Sequence, residues 1–283
     1  MSKFLSSVAV TEFDSMVKHA YANAGLLRPA ITVRNNVVGD TYKFRLMGRG
    51  LANQKSTSDL VTPMDINHEF KVATLQNWNA PEYTDIFDMQ DVNFDEKSEL
   101  AKTIAGALGR RSDQIVIDEM DATAVGSTIA AGATGTSADG LTMAKVVEAQ
   151  TKLRAKGVDN RDLFALINAD GLKGLLDDEK ATNADYQTVK ALVSGDINSL
   201  CGFRFITMEN REGREGGLTI AGNTVDSYFF QRDAVGIAVG IDIRTSVDWI
   251  ADRTSWLCNG MLKAGSAVRD PEGICKVQYK DNV

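Results

Sequence analysis

Residues 93–123, NFDEKSELAKTIAGALGRRSDQIVIDEMDAT, are the longest stretch of this chain that a single secondary structure accounts for. The stretch contains no proline. Leu100, Ile104 and Leu108, with Ala101 and Ala105 beside them, return every three or four residues, and Ile115, Val116 and Met120 continue the stripe. That spacing sets them along one side of an α-helix. Asn93 can cap the first turn with Glu96 reaching back to it, Asp95 adds negative charge where the helix dipole favours it, and Gly126 stands just past the far end as a stop. At 1.5 Å per residue the segment spans about 45 Å, so it must lie across a surface. The pattern predicts a long helix over a sheet. Lys97, Glu99, Lys102, Arg110, Asp113, Asp118 and Glu119 would form its solvated, mixed-charge side.

The composition of the chain frames this helix. With 283 residues and 43% hydrophobic content, it can bury one large core or two smaller ones. Acidic residues outnumber basic ones, 38 to 31, and the net charge of −7 argues against a dedicated nucleic-acid-binding surface. The N-terminus MSKFLSSVAV runs at once into Thr11, Glu12 and Asp14, too short an apolar stretch for a secretory signal, and no later run is long enough to span a bilayer. The expectation is a soluble globular protein made in the cytoplasm. Cys201, Cys258 and Cys275 are widely spaced without a CxxC, which fits reduced thiols in a core.

On the N-terminal side, Thr11 can cap a short helix whose apolar face is Phe13, Val17, Ala20, Tyr21 and Ala24, closed by Gly25. From Ile31 the period changes to two. Ile31 and Val33 alternate with Thr32 and Arg34, Gly39-Asp40 supplies a turn, and Tyr42, Phe44 and Leu46 alternate with Lys43 and Arg45. An aperiodic stretch follows from 47 to 67, longer than an ordinary loop inside a compact domain, before a strand-like run at 70–78. Together these segments predict a projecting hairpin whose long tip is ordered by something outside the subunit.

On the C-terminal side, GSTIAAGATGTSADG (126–140) reads as a flexible link, since it has neither a GK[ST] nor a GxGxxG opening a helix. A helix from Thr142 would bury Met143, Val146, Val147 and Leu153, with Lys152, Arg154 and Lys156 in its last turns. Next come a buried strand at 163–167, a helix capped by Asn168 or Asp170 that carries Leu172, Leu175 and Leu176, and a short helix with Val189, Leu192 and Val193. A strand follows at 203–208. Extended segments at 225–231 and 234–239 flank an Arg232-Asp233 turn, and strands at 255–262 and 274–279 complete a sheet. The expected architecture is α+β: a sheet with the long helix, interrupted by a smaller α/β lobe.

No catalytic constellation is visible. His19 and His68 sit in no HExxH or Cys/His cluster, no serine lies in GxSxG, and a Cys/His couple would need distant partners. Asp177, Asp178 and Glu179 lack EF-hand spacing and read as decoration of a helix end. Arg110-Arg111 is flanked by Asp113 and Asp118, which favours ion pairing over phosphate binding. The sites expected are therefore none catalytic, none for a cofactor and none for a metal.

Four stretches make the order of parts specific: VTPMDINHEF (61–70), LQNWNAPEYTDIFDMQ (75–90), DEKSELAKTIAGALGRRSDQIVIDEMDA (95–122) and GFRFITMEN (202–210). In this order, after an N-terminal arm, they resemble the loop return, peripheral strand, spine helix and axial strand of the major capsid proteins of tailed bacteriophages, the Hong Kong ninety-seven fold. The resemblance covers nearly the whole chain. It implies an N-arm at 1–32, an extended loop at 33–74, a peripheral domain at 75–140 and 240–283, and an axial domain at 141–239. It also implies no enzymatic activity, and self-assembly in pentamers and hexamers into an icosahedral shell around double-stranded DNA. The partners implied are a separate scaffolding protein, a portal and in some members decoration proteins, with only weak non-specific contact to the packaged DNA and none to a membrane. The resulting location is the virion, after assembly in the host cytoplasm. The arm helix begins within a dozen residues of Met1, leaving no room for a fused scaffolding segment. Lys55 lies in the long loop, but no local motif supports the lysine cross-link that some members make. Two other readings stand beside this one: the shell of a cellular nanocompartment and, more distantly, an enzyme using Asp170 or Asp178.

Overall fold

The protein is described from a computed structural model that covers residues 17, 25–48, 50–55, 57, 58, 60, 61, 63, 64, 66–85, 96–132, 140–177, 200–210 and 216–280. Several sequence expectations lie outside these residues: most of the arm helix with His19, the cap at Asn93, part of the link, the short helix at 189–193, and Asp178 with Glu179.

The long helix, α1, runs from Glu96 to Ala122, 27 residues. Ala101, Ile104, Ala105, Leu108, Val116 and Met120 are buried as the stripe requires, together with Ile117. They rest on a four-stranded sheet. Its strands in spatial order are β1 (Thr32–Arg34), β12 (Val235–Ile250), β13 (Ser255–Val268) and β4 (Gln76–Asp85). Close approach of helix and sheet depends on Gly260 of β13, where a Cβ would lie 2.5 Å from Ile104 Cγ2. Further along, Ser266 Oγ donates to the Ile115 carbonyl at 2.7 Å. The solvated side expected for α1 is corrected at Asp113, whereas Arg110 is exposed and Asp118 and Glu119 are half-buried. Ser112, Asp113 and Gln114 are buried, because this side of the helix faces the rest of the protein rather than water.

The strand at 234–239 is the start of a 16-residue strand, β12. Its alternation is broken where the register with β13 shifts, between Val239 and Ile241 and again between Ile241 and Arg244, which hid its continuation. The two extended segments on either side of the Arg232-Asp233 turn do not pair with each other. β11 (Thr224–Gln231) belongs to a second sheet, and the 3₁₀ turn Arg232–Ala234 carries the chain from one sheet to the other. Burial explains the division, since six consecutive residues of β11, Val225 to Phe230, are buried as in a strand covered on both faces.

The second sheet has the path β5 (Ser127–Ile129), β14 (Ile274–Lys280), β11, β6 (Leu163–Ile167) and β7 (Phe203–Thr207), with β10 (Ile220–Ala221) beside β11. Every residue of β6 is buried. The Phe203 and Phe229 rings meet edge to face at 5.0 Å in its core. Against this sheet packs α2 (Met143–Ala155), which buries Lys145, Val146, Ala149 and Leu153, whereas Val147, expected inside, is exposed. Lys145 is accommodated because its ammonium donates to the carbonyls of Gly140, at 2.9 Å, and Gln278, at 3.4 Å. Asn168 caps α3 (Ala169–Asp177) by accepting from Gly171 N–H at 2.7 Å. The link beginning at Gly126 is in part a strand. β5 runs parallel to β14, and the Gly126 N–H donates to the Pro271 carbonyl at 2.7 Å. β14 thus lies inside this second sheet, whereas the resemblance grouped 240–283 with the sheet of the long helix.

Candidate assembly surfaces

One element leaves the body of the subunit. β2 (Thr41–Met47) and β3 (His68–Thr74) form a separate two-stranded ribbon, paired from Thr41↔Thr74 to Met47↔His68. The Gly39-Asp40 turn does not join β1 to β2 as a hairpin, because β1 pairs in parallel with β12. The ribbon is instead seated at its base. Phe44 and Ala73 pack with Leu75, Ala238 and Ala267, and the Phe44 ring lies over Gly236, where a Cβ would come within 2.8 Å. Polar ties complete the seat. Leu75 N–H donates to the Asp40 carbonyl at 2.8 Å, and Lys263 Nζ reaches the Asp40 carboxylate at 2.7 Å, which holds that carboxyl below its ordinary range. Gly265 of β13 passes directly beneath, where any side chain would overlap the Thr74 carbonyl. Beyond the base the ribbon and its tip are open. Leu51 is 82% exposed and Leu60 93%, and Met47, Val61, Met64, Phe70 and Val72 are exposed as well. Large apolar side chains left in water along one projection make it a candidate surface for association.

A second group of residues fixes the body from which the ribbon projects. The Asp113 carboxylate, in the middle of α1, accepts from Leu26 N–H at 2.9 Å and Leu27 N–H at 3.2 Å. It thereby ties the segment entering the fold to the helix. Gln114 Oε1 accepts from Gly216 N–H at 2.9 Å. Asp121 accepts from Thr219 Oγ1 at 2.6 Å and from the Tyr228 hydroxyl, whose burial and acidic neighbour hold its proton on. The far side of α1 therefore binds the second sheet through polar groups while its apolar side binds the first. Sequence reasoning did not single out Gln114 or Asp121. Their helical spacing was the available signal, and it does not distinguish a bonded polar face from a wet one. Near Asp113 a cleft of about 690 Å³ is lined by Leu26, Arg110, Met208, Glu209 and Gly216 among others.

Burial pushes the Asp113 carboxyl up to about 6, against the pull of the two amides and the Arg28 charge. The folded state therefore holds this proton more tightly than the unfolded chain. The contribution to stability is fully present below the ordinary carboxyl value and lost as pH rises through about 6. Relative to Asp113→Asn, the wild-type subunit should gain up to ~3 kcal/mol between about pH 7 and pH 4, from roughly two units at 1.36 kcal/mol each. Urea unfolding of both proteins at the two pH values checks this. Parallel pH profiles would mean that the carboxyl is not buried as described.

The remaining residues singled out in the sequence do not converge. His68 and Lys55 are exposed on the ribbon and its loop, and Asp170 lies in the first turn of α3. Arg111 lays its guanidinium over the Trp78 ring, 3.5 Å from the centroid. All three cysteines are free; Cys258 and Cys275 are buried, but Cys201 is only half-buried. Burial pushes the Cys275 thiol up to about 11 and raises Cys201 too, the opposite of an activated nucleophile. Among the described residues no group of His, Cys, Asp and Glu is arranged to hold a metal, and no helix is long and apolar enough to cross a membrane.

The sequence profile of the phage capsid protein family matches residues 5–281. No curated protein matches the chain in sequence. Among solved structures, the head of Helicobacter pylori bacteriophage KHP40 superposes with a TM-score of 0.72 at 9% identity, over 88% of each chain. The capsid of cyanophage P-SCSP1u gives 0.68 at 17% identity, over 90% of this chain and 87% of that one. A virus-like particle from Pyrococcus furiosus gives 0.64 at 13% identity, over 95% and 99%. With a profile match over nearly its whole length and capsid subunits among its structural neighbours, the chain belongs to the phage capsid protein family, as a major capsid protein with the Hong Kong ninety-seven type fold.

Proposed function

We propose that many copies of this chain close an icosahedral shell around the double-stranded DNA of a tailed phage. In this reading the lobes built on the second sheet meet in pentamers and hexamers. The observation that carries it is the ribbon, whose tip exposes Leu51, Leu60, Val61 and Met64 and finds no cover among the described residues. Each copy covers the ribbon of a neighbour, a heterologous contact that closes into rings when the rotation fits. A net charge of −7 suits a container whose wall must not hold its DNA tightly. The subunit performs no catalysis. Assembly takes place in the host cytoplasm on a separate scaffolding protein and a portal. The domain plan follows that of the resemblance: arm 1–32, loop 33–74, peripheral domain from 75 to 140 and again from 240, axial domain 141–239. Pairing of β14 with β11 supports moving 274–280 to the axial domain.

The test is sedimentation and imaging of the protein expressed with its scaffold, followed by limited trypsin digestion. Closed shells are expected, and cleavage after Lys55 should be fast in free subunits and slow in shells. Small oligomers alone would overturn the shell; equal cleavage rates would overturn the covering of the loop. A second reading, a cellular compartment holding a cargo protein, draws on the similarity to the Pyrococcus furiosus virus-like particle. Shells that contain protein and no DNA would favour it.

A further inference from the structure

The β2–β3 ribbon has two unlike faces. Cross-strand partners share a face, so Thr41, Lys43, Arg45 and Met47 stand with Thr74, Val72, Phe70 and His68, while Tyr42, Phe44 and Leu46 stand with Ala73, Lys71 and Glu69. The second face begins in the subunit's own core at Phe44 and Ala73, and its outer charges neutralise one another, with Lys71 and Glu69 3.8 Å apart. All eight residues of the first face are exposed, Phe70 by 54% and Val72 by 50%. That face holds Lys43 and Arg45 and no acid. The imbalance extends to the whole segment. Residues 41–74 carry five Lys and Arg against three Asp and Glu, leaving 26 against 35 for the rest of a chain of 31 and 38. A basic arm thus projects from an acidic body.

We propose that the face formed by Lys43, Arg45, Met47, Phe70 and Val72 is the docking face of the ribbon, and that its occupant is a carboxylate-bearing surface of a second copy of this chain. This rests on the shell reading and adds to it which face docks and what it meets. Apolar side chains on the β3 half and the base of Met47 supply the area to be buried. The cations on the β2 half supply attraction to an acidic neighbour and repulsion from another ribbon, so copies meet arm to body rather than arm to arm. Because these side chains are exposed and belong to neither buried cluster of the described residues, changing them alters association more than folding.

The experiment compares the assembled fraction of full-length wild type, Lys43→Glu/Arg45→Glu, Phe70→Ser/Val72→Ser and Lys71→Glu. Each is expressed with the phage's scaffold and sedimented at about 0.05 M and about 0.5 M salt, where screening lengths differ about threefold. The two first-face variants should lose assembly by roughly tenfold or more at low salt, with free-subunit melting unchanged. Lys71→Glu should stay within about twofold of wild type, and added salt should weaken wild-type assembly and not that of the charge-reversed variant. Wild-type yield from both first-face variants would overturn the proposal, as would loss confined to Lys71→Glu, which would assign the opposite face. Variant shells that form normally but lose a second bound protein would overturn the choice of occupant. Absence of shells from the wild type itself would instead overturn the shell reading on which this one rests.

Discussion

Ile104→Asp should yield no soluble folded subunit. Ile104 is 3% exposed, and its Cγ2 occupies the space above Gly260 that a side chain on β13 would otherwise fill. The substitution removes a buried apolar group and places a carboxylate in the gap between helix and sheet, against Gly260 and beside Leu108. Loss of the side chain costs about 2–5 kcal/mol and the unpaired charge adds several more. The sum is comparable with the whole stability of a domain, about 5–15 kcal/mol. Thr103→Asp, one position round the helix and exposed, is the control and should change stability by no more than ~0.5 kcal/mol. Soluble yield, circular dichroism and the melting midpoint read both variants. A soluble Ile104→Asp subunit that melts with the wild type would show that the helix does not rest on β13 at this residue.

Gly265→Ala should leave a folded subunit that assembles about tenfold less. The added methyl would overlap the Thr74 carbonyl and crowd Leu75 N, so either β13 sinks toward α1 or the base of the ribbon lifts. The ribbon is the freer of the two, since β13 is hydrogen-bonded on both edges, to β12 and β4. Overpacking of this kind costs about 1–3 kcal/mol. A tilt at the base is magnified along a projection seven residue pairs long, and a contact that depends on its aim is lost. Hydrogen exchange should quicken at 41–47 and 68–74 and remain unchanged in β6, β11 and β14, while the assembled fraction falls by an order of magnitude. Shells at wild-type yield with an unaltered exchange pattern would mean that the ribbon is not seated on Gly265.

Local pattern was enough wherever one physical signal acted alone. The apolar stripe of α1 has a single period over 27 residues, and the buried run LFALI and the alternation around Phe44 are equally plain. The aperiodic loop was legible too, as a connection longer than those inside a compact domain. Where two signals compete, pattern failed. Val225–Gln231 and the strand after it look like a hairpin in the sequence, yet the turn between them passes from one sheet to another. A tight turn constrains local direction and says nothing about which neighbour supplies the next row of hydrogen bonds. β12 was cut short in the reading because a bulge breaks alternation without ending a strand.

The candidate surfaces divide in the same way. The long helix, the alternation of the ribbon strands, the α+β class, the family, and the lack of any spaced catalytic or metal motif could all be read along the chain, since each is written in periods and residue types. Only the tertiary structure decided that Asp113, Gln114 and Asp121 are bonded inside rather than solvated, that Gly260 and Gly265 are places where a side chain cannot stand, and which face of the ribbon is left open. The physical reason is that burial and close approach belong to pairs of elements far apart in sequence. A polar residue on a helix looks the same whether it faces water or the Leu26 and Leu27 amides, and a glycine in a strand shows nothing of the Ile104 methyl or the Thr74 carbonyl that will occupy its space.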